Sequence, residues 1–179
     1  DKADEAVKRV KDLIDDLKRR IDEVVKRSRE VVRDIEKHAE DVVKESRRVV
    51  DEIKKLVTRG DIREEDVRRL VKRLEELNRR HEERSRRLVE ELKRLNDKLN
   101  EEVRRIKRRI EDLVRRLREE GVIREEVEER VREVLRRVEK RVKEVNEESE
   151  RTIRELERVS RRVNEESRRS IEEAKRAAD

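Results

Sequence analysis

The chain has no cysteine, proline, methionine, phenylalanine, tyrosine or tryptophan, and only two glycines among its 179 residues. Each absence excludes something. Without cysteine there are no disulfides and no thiolate metal sites, and no redox compartment is indicated. Without proline no helix is interrupted from within. Without aromatics nothing is available to stack nucleobases or to seat an amphipathic helix in a bilayer surface. No run approaches the roughly 18 apolar residues of a membrane span, and no signal peptide is visible. The expectation is a soluble chain of undefined localisation, in contact with neither membrane nor nucleic acid.

What is present is charge. Charged residues make up 59% of the chain and hydrophobic residues 31%. That composition alone describes a disordered polymer. Its arrangement does not, because a long helix in a bundle needs only two or three apolar positions in seven. The net charge of +6 is the small difference between 56 basic and 50 acidic residues. The signs are interleaved: Arg104, Arg105, Lys107, Arg108 and Arg109 are followed by Glu111 and Asp112. This is a solvated surface of i,i+4 pairs, each worth about 0.2–0.5 kcal/mol. It is not the clustered basic face of a nucleic-acid binder.

The apolar residues fall on three long stripes in matching phase. The first runs Ala3, Val7, Val10, Ile14, Leu17, Ile21, Val25, Ser28, Val32, Ile35, Ala39, Val42, Ser46, Val49, Ile53 and Leu56, in alternating steps of three and four with one extra four at Leu17–Ile21–Val25. Adding 121 to these numbers from Val10 onward gives a second stripe, from Val131, Leu135 and Val138 through to Ala174 and Ala177. Reflecting the first stripe through a sum of 120 places Leu117, Val103, Leu99, Leu95 and Leu92 opposite Ala3, Leu17, Ile21, Val25 and Ser28. Translation and reflection together predict two parallel helices with a third running back between them. The mean step near 3.5 predicts left-handed coiled-coil packing, relaxed at the stutter.

The two glycines are the punctuation. Gly60 and Gly121 each follow a long periodic segment, where a left-handed residue after the helix end is expected. Each opens a similar stretch, Gly60-Asp61-Ile62-Arg63-Glu64-Glu65 and Gly121-Val122-Ile123-Arg124-Glu125-Glu126. In the first, Asp61 is placed to cap the next helix, with Glu64 completing a capping box. The second has Val122 there and lacks that cap. The predicted fold is all-α: one domain over residues 1–179, a long up-down-up antiparallel three-helix bundle with helices at about 2–58, 62–119 and 123–178. At 1.5 Å per residue each helix is on the order of 85 Å long.

Polar residues interrupt the stripes at three levels. Ser28, Asn96, Asn146 and Ser149 share one. His38, His81 and Ser160 share the next, with Ser85 a turn away. Ser46, Asn78, Asn164 and Ser167 share the third. An unpaired buried Asn or Ser costs a few kcal/mol. Grouping them lets each satisfy another and penalises a slipped register, as one buried Asn does in a coiled coil. These twelve residues are therefore expected to be structural, with no carboxylate, Lys or Cys at the inward positions.

No site of reaction is expected. His38 and His81 are two ligands where zinc needs three or four. His81-Glu82-Glu83-Arg84-Ser85 has the start of a His-Glu-x-x-His helix without its second histidine. No serine stands in a nucleophile elbow. Arg59-Gly60-Asp61 spells the integrin tripeptide, but capping and turn geometry account for it. The expectations are no enzymatic activity, no metal, no cofactor and no small-molecule substrate.

The Leu56-Val57-Thr58-Arg59-Gly60-Asp61-Ile62 turn, the Ser/Asn/His levels and the aromatic-free Glu/Lys/Arg surface resemble computationally designed helical bundles with buried hydrogen-bond networks, in particular designed heterodimers built from helical hairpins. The resemblance spans the whole chain. It implies an artificial protein made in a bacterial cytoplasm, whose purpose is assembly. Adjacent apolar doublets, such as Val42-Val43 and Val49-Val50, widen the first and third stripes. They raise a second expectation: Val43, Val50, Asn146, Asn164 and Ile171 line a groove for a partner helix or another copy of the chain.

Overall fold

A computed structural model describes residues 2–60 and 63–178, with the side chains of Lys2, Ala3 and Ala178 left aside. Three helices follow one another: α1 (Lys2–Arg59), α2 (Glu64–Glu119) and α3 (Glu125–Ala178), of 58, 56 and 54 residues. There is no strand among the described residues. The helices pack pairwise as an up-down-up bundle. Asp4 and Glu5, Glu64 to Asp66, and Glu125 and Glu126 occupy the first turns, and basic residues the last, as the helix dipole favours.

Both later helices start two residues after the sequence-predicted position. The first carbonyl to accept an intrahelical bond in α2 is that of Arg63, from Asp66 N at 3.0 Å and Val67 N at 3.3 Å. In α3 it is that of Arg124, from Val127 N and Glu128 N, both at 3.1 Å. The N-cap positions are thus arginines. Glu64 is the first helical residue of α2, which removes it from the third position that a capping box requires. Asp61 and Ile62 themselves lie outside the described residues.

The helix ends follow the prediction closely. Gly60 has φ 73° and Gly121 has φ 68°. At the second turn Val122 N donates to Leu117 O at 2.9 Å, and Gly121 N to Arg118 O at 3.0 Å. This pair of bonds is the Schellman closure, which satisfies carbonyls that the helix end would leave bare. Val122 therefore finishes α2 rather than failing to cap α3.

By contacts the chain divides into two compact units. The first comprises Asp1–Arg29 and Leu92–Arg151. Its core contains Leu17, Ile21, Leu99, Ile110, Val138 and Val145. The second comprises Glu30–Glu91 and Thr152–Asp179. Its cores contain Val49, Ile53, Leu70, Leu74 and Ala174, and Ala39, Val42 and Val163. A fully buried Leu or Ile such as Leu17, Ile35, Ile53 or Leu74 contributes about 1.5–3 kcal/mol.

The stripes run as predicted except where doublets offer a choice. Val24, Val31 and Val145 are the buried members, at 8%, 0% and 2% exposure, while Val25, Val32 and Asn146 are half-buried. Two adjacent residues straddle the centre of a helix face, and the packing of the other two helices decides which turns in. The choice also moves the stutter: the consecutive steps of four in α1 fall at Val31–Ile35–Ala39 instead of Leu17–Ile21–Val25.

A Cβ added at Gly121 meets nothing within 4 Å, so only its left-handed backbone resists substitution. Gly121→Ala is expected to cost about 1–2 kcal/mol, which lowers the melting temperature by roughly 2–8 °C for a chain of this size. Calorimetry of the variant checks it, and an unchanged melting temperature would contradict the assignment.

Candidate functional site

The chemically distinctive place in the molecule is the meeting of His38 and His81 in the second unit. His38 lies on α1 beside Ala39, and His81 on α2 is completely buried. Their Nδ1 atoms are 2.9 Å apart. The rings are 7° from parallel with centroids 5.2 Å apart. Overlapping parallel rings cannot bring two nitrogens that close, so the imidazoles lie edge to edge in nearly one plane. On its far side His81 Nε2 is 3.4 Å from Ser85 Oγ, one turn along α2.

An Nδ1···Nδ1 hydrogen bond requires one ring to donate and the other to accept. Both neutral arrangements suit Ser85, whose hydroxyl accepts from or donates to Nε2 as needed. The surroundings favour neutrality. Burial lowers the His38 pKa, assisted by the Arg84 guanidinium and opposed by Asp34 and Asp41. Burial pushes His81 down to about 4, assisted by His38 and opposed by Glu82. Arg84 is itself tied to Asp34 at 2.6 Å.

Ser85, His81 and His38 thus form a chain of hydroxyl, base and orienting group. No substrate has a way to it: Ser85 is 6% exposed and His81 0%. A recess of about 210 Å³ in the same unit is lined by Val43, Ser46, Arg47, Ser167 and Ser170 among others, and by neither histidine. No group of three or more His, Asp or Glu among the described residues is placed to hold a metal.

Of the other polar residues, Asn146 and Asn164 bond across to α2. In the first unit Ser149 is buried, Ser28 Oγ donates to Val24 O at 2.8 Å, and Asn146 Nδ2 donates to Asn100 Oδ1 at 2.8 Å. In the second, Asn164 Nδ2 donates to Glu82 Oε1 at 2.5 Å. Ser46 and Ser167 are buried and Ser160 half-buried. The Oγ of Ser46 and the Oδ1 atoms of Asn78, Asn96, Asn146 and Asn164 are buried without a hydrogen-bond partner. Asn100 and Glu82 are partners that the stripe positions did not single out, since both sit on its flank.

Carboxylates are closer to the interior than the stripes implied. Glu128 is 8% exposed and held by Arg118 and by Arg132 at 2.9 Å. Glu102 pairs with Arg20. Of the five residues expected along a groove, Val50 is buried, Val43 and Ile171 pack against the second unit's cores, and Asn146 and Asn164 turn to partners on α2. Val7, at 40%, is the one large hydrophobic residue recorded as exposed among those described.

No family model and no curated protein matches the sequence. A solved structure described as a computationally designed three helix bundle is similar in fold, with a TM-score of 0.54 and 18% identity over 98% of this chain and 85% of that one.

The Asn146–Asn100 bond is half-buried, whereas the Arg80–Glu76 pair is exposed. A double-mutant cycle to alanine is expected to give a coupling of about 0.5–1.5 kcal/mol for the amides and about 0.3–0.5 for the ion pair. Urea unfolding of the parent, the four single variants and the two double variants measures each, and equal couplings would contradict the ranking.

Proposed function

We propose that the chain is an artificial structural scaffold without natural biochemical activity, and that its buried polar residues specify helix register and pairing. The observation that carries this is a set of three polar pairs between neighbouring helices: His38 with His81, Asn146 with Asn100, Asn164 with Glu82. Sliding α2 by one heptad would put Leu74 or Leu88 in the place of His81 and leave His38 without its partner, at about 1–3 kcal/mol per unsatisfied group, while Lys93 or Lys107 would replace Asn100 and Glu75 or Val89 would replace Glu82. The regularity of the stripes, the charged surface and the likeness in fold to a designed bundle support the artificial origin. The class of reading is one of specificity rather than strength, since a polar group in a core seldom adds stability over a well-packed apolar one.

A second reading is a three-helix component that accepts a further helix or another copy of the chain. One observation favours it. Val43, Ser46, Arg47, Ser167 and Ser170 line a recess of about 210 Å³, which has room for a side chain from outside.

Replacing Ser46 and Ser167 by Ala together with Asn78 and Asn164 by Leu separates these ideas. Under the first reading the parent runs as a single 22.0 kDa species in size exclusion with light scattering. The quadruple variant stays folded, is at least as stable, and spreads over several masses. A variant as homogeneous as the parent would defeat the specificity argument. A parent of dimer mass would favour the second reading.

A further inference from the structure

Both histidines of the chain lie in the unit formed by Glu30–Glu91 and Thr152–Asp179, and they join its α1 and α2 segments by one bond. That bond tolerates one added proton. If His38 donates through Nδ1–H, a proton arriving at its free Nε2 leaves the bond intact and charge-assisted. It does not tolerate two. With both rings charged, both Nδ1 atoms carry hydrogen, neither accepts, and two cations face each other in a buried place.

The groups around the pair compensate only in part, since burial outweighs them at both rings. On α1 these are Asp34 and Asp41, and on α2 Glu82 and Arg84. Asp34 is engaged by Arg84 and Glu82 by Asn164. From α3 the level presents Ser160 and Asn164, neither titratable. On α3, Glu157 and Arg161 flank Ser160 and are exposed, and Arg161 Nε donates to the Glu157 carbonyl at 3.5 Å.

We propose that His38 and His81 form an acid-sensitive latch between α1 and α2, which holds with at most one added proton and parts when both rings are charged, so that mild acid loosens the histidine-bearing unit ahead of the histidine-free one.

The direction follows from linkage. His81 is held at about 4, below the ordinary 6.5 that it regains on unfolding. Below pH 6.5 the open form therefore binds more protons than the closed one. The latch contributes fully above about pH 6.5, weakens as pH falls from there, and loses no more below about pH 4. Between pH 7 and pH 5 the opening equilibrium of this unit shifts on the order of 20-fold, before most carboxylates begin to titrate.

The test is native-state amide hydrogen exchange on the full chain at pH 7 and pH 5, corrected for the intrinsic rates. Protection in the Glu30–Glu91 segment is expected to fall on the order of 20-fold, against little change in the Asp1–Arg29 and Leu92–Arg151 segments. Equal loss in both units, or none in either, overturns the latch. In H38L/H81L the difference between units should vanish, and its persistence would assign the effect to other groups. Should that variant not fold, nitrogen-detected titration of the two rings in the parent decides. Two well-separated steps support the shared bond, and one common step near 6.5 refutes it.

Discussion

Burial of a narrow apolar stripe holds this structure together, and nearly every other feature follows from how narrow it is. Intrinsic helix propensity is modest, because Val supplies so much of each inward face. Helices of 58, 56 and 54 residues persist because residues such as Leu17, Ile35, Ile53, Leu74, Ile110 and Leu156 are all at most 2% exposed. A stripe of two or three positions in seven leaves the remaining surface to Glu, Lys and Arg. That is how a chain with 59% charged residues forms a core instead of a disordered coil.

The same narrowness makes register the weak point. Three nearly identical stripes of Val, Leu and Ile pack almost as well after a slip of one heptad, so hydrophobic burial does not choose among registers. Under the proposed function, directional groups make that choice. The His38–His81 bond joins α1 to α2, Asn146–Asn100 and Asn164–Glu82 join α2 to α3, and Lys54–Glu173 at 2.5 Å joins α1 to α3. Of these the histidine bond is the most demanding, because His81 is wholly buried and has nothing else but Ser85 within reach. A group that is costly to misplace is also costly to charge, so the proposed register role and the proposed acid response rest on the same pair.

Much of this was legible in the sequence because helical periodicity is a strong signal and glycine has few reasons to occur. Gly60 and Gly121 end their helices in the left-handed conformation expected of them, and reflecting one stripe onto another sets His81 opposite Ala39, next to His38, with which it bonds. What was not legible depends on small rotations. Whether Val24 or Val25 turns inward is decided by the neighbouring helices, and a doublet carries both answers. Asn100 and Glu82 sit beside the stripe, and only the reach of their side chains brings them to Asn146 and Asn164. Glu128 goes inside because Arg118 and Arg132 meet it there, a pairing that periodicity does not express. The starts of α2 and α3 shifted for a related reason. The chain needs residues between the left-handed glycine and the next helix, so Arg63 and Arg124 supply the first acceptor carbonyls.

The central claim is that packing, and not local helix preference, keeps these segments helical. Isoleucine and serine have similar intrinsic helix propensity but opposite tendencies to be buried. Replacing Ile21, Ile35, Ile53 and Ile110, all at most 2% exposed, by serine therefore removes burial while leaving local preference almost untouched. Far-UV circular dichroism of this variant at pH 7 and 25 °C is the most direct measurement. The account predicts loss of most of the helical signal, against a nearly fully helical parent. A variant as helical as the parent would contradict it.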